Sequence, residues 1–162
     1  MTEQTGRPDA EAGSEGGPEV GSDAADRALV ALIGLGAFST IAVLQRLAAD
    51  HDLSLTQLRV LEILRDRPQV RIGRLVDHLG LEKSTVTGLV DRAERRGLLR
   101  RGRDLQDGRV VVVSLTEQGR DLADRLAEDA FGRLRPQLAP LHPAQRVRLT
   151  ALLTVLHPEA DL

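Results

Sequence analysis

The chain has no cysteine, no tryptophan and no tyrosine, and its 162 residues include only two phenylalanines and one lysine, Lys83. Each absence excludes something. Without cysteine there is no disulfide, no thiol-based redox sensor and no thiolate-bound metal. With Phe38 and Phe131 as the only aromatics, the core must be built from Leu, Val, Ile and Ala, a mix that suits packed helices. Both Phe are expected inside that core. The four histidines (His51, His78, His142 and His157) have no close metal-ligand spacing, and a closed zinc site needs four ligands, so no metal and no cofactor are expected. His78 reads as a surface or turn residue. No phosphate loop, Ser-His-Asp arrangement or paired-carboxylate element stands out, and no enzymatic activity is expected.

What is present is an ordinary globular composition, 41% hydrophobic and 28% charged, with its charges unevenly placed. The net charge of −2 hides a strong segregation: residues 1–30 carry seven acidic and two basic side chains, whereas residues 58–110 carry thirteen basic and eight acidic. A basic block inside a mildly acidic chain is the footprint of a nucleic-acid surface.

Residues 1–21 are rich in Gly, Glu and Pro and read as a disordered acidic tail. Ser22 with Asp23 is a plausible cap for a long helix reaching about Ala49. From Ala28 to Gln45 this helix has no charge at all, yet Gly34, Gly36, Ser39 and Thr40 dilute it and Arg27 and Arg46 close it in. A membrane span needs about 20 predominantly apolar residues. The sequence therefore predicts a soluble helix, buried on most of its circumference against a second copy of the chain. The N-terminus also lacks the basic start and apolar core of a signal peptide, which points to the cytoplasm.

After the Asp50-His51-Asp52 turn, Ser54 and Gln57 have capping-box spacing for a second helix that ends before Pro68. A short helix, Ile72 to Leu79, then Gly80, then a helix from about Glu82 to Arg96 stopped by Gly97 make a helix-turn-helix. Two strands follow, Leu98–Arg101 and Arg109–Leu115, joined through Asp107-Gly108, and a hairpin in that place is a wing. Asp104 and Asp107 are expected to shape its turn, through Asx-type bonds or by fixing an arginine. Thr116 can cap a helix to about Leu134, and Pro143 can open one to Leu156. The expected fold is mainly α with a small β-wing, a winged helix-turn-helix with flanking dimerisation helices. Residues 22–50 would be the N-terminal dimerisation helix, 51–116 the DNA-binding region and 117–162 the C-terminal dimerisation helices, all in one compact domain.

On a helical wheel of residues 82–96, Val86, Leu89, Val90 and Ala93 share one face, which is core. The opposite side presents Ser84, Gly88, Asp91 and Arg95, flanked by Thr87 and Arg92, with Lys83 at the N-terminal end. Recognition helices read base edges with their N-terminal residues. Lys83, Ser84, Thr85, Thr87, Gly88, Arg92 and Arg95 are accordingly the candidate DNA-binding residues of this helix. Arg101, Arg103 and Arg109 are those of the wing, where arginine suits the minor groove.

Leu53-Ser54-Leu55-Thr56-Gln57, Ser84 to Thr87 with Leu89 to Arg92, Arg95 to Leu99, the wing residues Asp104, Asp107 and Arg109, and Leu115-Thr116-Glu117 with Gly119 together resemble the MarR family of bacterial regulators. The resemblance spans about two-fifths of the chain, residues 53–119. It implies a homodimer that binds double-stranded DNA at a pseudo-palindromic operator, usually as a repressor. It also implies release by a small, often aromatic or phenolic, effector held between the dimerisation and DNA-binding parts. The scarcity of aromatics makes the walls of such a pocket mainly aliphatic. Two positions depart from the family pattern: Glu82, where many members have a Ser cap, and Gly108, where many carry Arg. With the acidic tail and Gly88, Gly108 supports an alternative, a protein-interaction module that keeps the fold without specific DNA binding.

Overall fold

The structure, a computed structural model, describes residues 20–157, with side chains from residue 23 onward. The expected acidic tail lies almost wholly outside these residues. Helix α1 is Val20–Asp50, so Ser22 is inside the helix and does not cap it. The remaining order is α2 Leu55–Arg65, β1 Val70–Arg71, α3 Ile72–Leu79, α4 Lys83–Arg95, β2 Leu99–Arg103, β3 Val111–Leu115, α5 Glu117–Leu134 and α6 Pro143–Leu156. One turn of 3-10 helix, Arg135–Leu138, follows α5.

The chain divides into two compact units, one ending at Ala37 and the other beginning at Phe38. In its described part the first unit is helix, and Leu29, Val30, Leu32, Ile33 and Leu35 are all exposed. The predicted burial of this helix is therefore not achieved by a single chain. Its length and hydropathy would also allow it to cross a membrane.

The second unit holds the core. Leu47, Leu61, Leu64, Leu75, Leu99, Val86, Val90 and Val113 are almost wholly buried, and no polar or charged described residue is buried with them. Each such leucine stabilises the fold by roughly 1.5–3 kcal/mol relative to exposure. Phe38 and Phe131 are not core residues, contrary to the burial statistics: they are 76% and 59% exposed. Phe131 instead lies under the Arg135 guanidinium, 5.9 Å from ring centroid to charge.

Local chemistry sets the element ends. The Ser54 hydroxyl accepts from the Gln57 backbone N–H while the Gln57 side chain accepts from the Ser54 N–H, the expected reciprocal cap. Gly80 ends α3 with φ +61°, a left-handed turn that costs glycine nothing and aims the chain into α4. Thr116 caps α5 by accepting from Gly119 N–H at 3.0 Å and donates its own proton to the Gly97 carbonyl at 2.6 Å. Gly119 lies so close to Leu98 that a Cβ there would meet the Leu98 carbonyl oxygen at 1.9 Å.

The sheet order is β1-β3-β2, all antiparallel. Leu99 faces Leu115 and Arg103 faces Val111, so β2 and β3 form the wing; Val70 faces Val113, adding a third strand at its base.

Candidate nucleic-acid interface

Helix α4 is fixed by its apolar side. Val86, Leu89, Val90 and Ala93 are buried as the wheel requires. This holds Lys83, Ser84, Thr85, Arg92 and Arg95 in solvent, with Thr87 and Gly88 half-buried. Around Gly88 the surface is open, the nearest atom to an added Cβ being an Arg92 nitrogen at 3.6 Å. Arg92 and Arg95 come together with Arg96 and Gln57 around one shallow hollow.

The wing arginines divide into two kinds. Arg103 donates to the Gly108 carbonyl at 2.7 Å and stays exposed; Arg109 is exposed at the turn. Arg101 instead turns inward. Its guanidinium pairs with Asp91, with Glu94 at 2.8 Å, and reaches the Thr87 carbonyl. One wing arginine thus neutralises two carboxylates that α4 would otherwise present beside its exposed polar face. The hydrogen bonds of Arg101 brace β2 against α4.

The turn between the strands is built by its aspartates. Asp104 Oδ1 accepts from the backbone N–H groups of Gln106 and Asp107, and Asp107 Oδ1 from that of Arg109. Asp104 Oδ2 pairs with Arg71 at 2.8 Å. The Arg71 bond and then the two backbone donors hold the Asp104 carboxyl below its ordinary pKa, and Arg71 is correspondingly raised. The tie from β1 to the wing was not legible in the sequence, because Arg71 and Asp104 are thirty-three residues apart. Arg67, Arg71 and Arg74 line a second hollow that also includes His78. That histidine is half-buried on α3, donating from Nδ1 to the Arg74 carbonyl at 2.8 Å, and is not a turn residue.

Away from this face, the Asp50–Leu53 turn gathers several elements. Arg133 and Asp129 of α5 reach Asp50 and His51 at 2.7 and 3.5 Å. Arg96, at the end of α4, donates to the Asp52 and His51 carbonyls at 2.7 and 3.3 Å. Asp52 itself is left-handed, φ +55°. A half-open cavity of about 170 Å³ lies nearby, between Leu44 of α1, Leu58 and Leu61 of α2, and Leu126 with three alanines of α5. Its walls are mainly aliphatic, and among the described residues Glu62 and Arg65 are the charged ones that line it.

A sequence model of the MarR family matches residues 53–111, the segment from the α2 cap to the start of β3. The chain is 30% identical over 112 residues to the transcriptional repressor NicR of Pseudomonas putida, covering 69% of this chain and 71% of that one. Among solved structures, a MarR family protein from Bacillus stearothermophilus superimposes with a TM-score of 0.76 at 26% identity, over 86% of this chain and 98% of that one. BpsR of Bordetella bronchiseptica, whose DNA binding is regulated by 6-hydroxynicotinic acid, gives 0.63 at 28% identity over 86% and 93%. These likenesses favour a DNA-binding regulator over an interaction module that has lost DNA. A buried α4 spine, an arginine-bearing wing locked to it, and relatives of matching length and fold lead to one conclusion: the chain belongs to the MarR family of winged helix-turn-helix transcriptional regulators.

Proposed function

We propose that two copies of this chain bind a pseudo-palindromic operator in the cytoplasm as a repressor and leave it when a small effector occupies the aliphatic cavity. Lys83, Ser84, Thr85, Thr87 and Gly88 enter the major groove, where Lys pairs with guanine edges and hydroxyls with bases or phosphate. Arg92 and Arg95 meet phosphates, and Arg103 and Arg109 meet the minor groove. Arg101 acts through its bonds to Asp91 and Glu94, positioning the wing, and not by touching DNA. The observation that carries the reading is the polar N-terminal end of α4, exposed beside the arginine wing while its other side is sealed in the core.

The dimer follows from unburied hydrocarbon. Leu29, Val30 and Leu35 on α1, and Val147, Leu152 and Val155 on α6, are each more than half exposed. Faces this apolar mark an interaction surface. Arg27 and Arg46, which close in the uncharged stretch of α1, and Gly34, Gly36, Ser39 and Thr40 within it suit a second copy better than a membrane.

A gel-shift titration with the duplex upstream of the chain's own gene tests the proposal. Specific binding outcompetes random duplex by at least about tenfold, since specific sites typically exceed non-specific ones by far more. Arg109→Ala weakens binding to all duplexes, whereas Lys83→Ala or Thr87→Ala relaxes preference at particular bases. Equal competition by random duplex would refute specific recognition, and silence of all three variants would refute the site.

A further inference from the structure

The cavity between α2, α5 and the end of α1 has a selective chemistry, and we propose that its ligand is a small aliphatic carboxylate of about six carbons with no hydroxyl at its far end. The inference rests on the effector reading above and narrows it. A volume of about 170 Å³ is slightly larger than the roughly 150 Å³ that accommodates one benzene molecule, which sets the size.

The walls decide the class. Leu58, Leu61, Ala123 and Leu126 offer hydrocarbon only, and among the described residues no hydroxyl, amide, imidazole or aromatic ring lines the cavity. A phenolic or distal hydroxyl pushed in among Leu58, Leu61, Ala123 and Leu126 would find no partner there, which weakens binding by about tenfold or more. An unsubstituted hydrocarbon tail meets no such cost.

The charged residues decide the head group. Glu62 is already paired with Arg59 at 2.8 Å. Arg65 holds Asp66 through Nε and Nη2, at 3.0 and 3.4 Å, and its Nη1 would be the donor to a ligand carboxylate. Arg65 is kept firmly protonated by Asp66, so the positive charge is permanent.

Calorimetric titration of the full chain with sodium hexanoate, 1-hexanol and 4-hydroxybenzoate tests this, run beside fluorescence anisotropy of a labelled upstream duplex. Hexanoate should bind at least about tenfold more tightly than either competitor. Ala127→Leu, which fills the cavity, should abolish hexanoate binding with the melting temperature retained; Ala130→Leu serves the same purpose should that variant not fold. Arg65→Gln should erase the advantage of hexanoate over hexanol. The proposal is overturned if 4-hydroxybenzoate binds as tightly as hexanoate, if hexanoate binding survives both filling variants, or if hexanoate does not bind. Hexanoate binding with unchanged DNA affinity would uphold the ligand class and overturn the effector reading. DNA release by 4-hydroxybenzoate alone would do the reverse.

Discussion

The winged segment and the apolar helices α1 and α6 differ in how far one chain can satisfy itself. From Leu53 to Leu126 the apolar side chains are largely covered, and the arginine and aspartate side chains that shape the wing find partners within the same polypeptide. Along α6 not one residue is buried, and among the described side chains of α1 Leu47 and Ala48, near its end, are the buried ones. The first region specifies its own shape. The second supplies surface for something else to complete.

That contrast can be broken from either side. Gly119→Ala attacks the self-contained region where it is tightest: the new methyl collides with the Leu98 backbone, which cannot yield as a flexible side chain would. A loss of about 3 kcal/mol is expected, the upper end for overpacking. Urea unfolding at fixed protein concentration would show it as a lowered midpoint, and an unchanged midpoint would mean α5 docks differently.

Leu29→Glu with Leu152→Glu should do the opposite. Both leucines are 56% exposed, so the winged segment should keep its own fold. Sedimentation should show a single protomer, and operator affinity should fall about a hundredfold as two linked contacts become one. A dimer that persists would place the interface elsewhere.

Smaller still is Ser54→Ala, which removes one helix cap and should cost about 1 kcal/mol, measurable as a small shift of the same urea midpoint. Acid provides the finest probe. The Asp104 carboxyl titrates below its unfolded value, so its contribution is complete above about pH 4 and disappears as pH falls through the lower, folded value. Amide exchange at Gln106 and Asp107 should rise in that window, and Asp104→Asn should flatten the response.

Legibility in the sequence follows the same division. Ser54 with Gln57, Gly80 and Thr116 act over a few residues, and each did what local chemistry dictates. So did the α4 wheel, because burial there is periodic. What escaped was set at a distance. Strand β1 is two residues long and exists through its pairing with β3. Arg101 carries the same composition signal as Arg103 and Arg109, and its inward turn depends on carboxylates that α4 happens to place opposite it. Phe38 and Phe131 look like core residues by type, yet one chain leaves them exposed.

The left-handed bend at Asp52 is a mechanical junction as well as a connection. Its carbonyls anchor the trailing end of α4 through Arg96, while its neighbours Asp50 and His51 are gripped by α5. A torque on α5 would thus be delivered to the end of α4 farthest from Lys83, swinging the helix about its N-terminal end. Spin labels at Arg95 in paired protomers would register that swing as a change in spacing; labels at Lys83 would barely move.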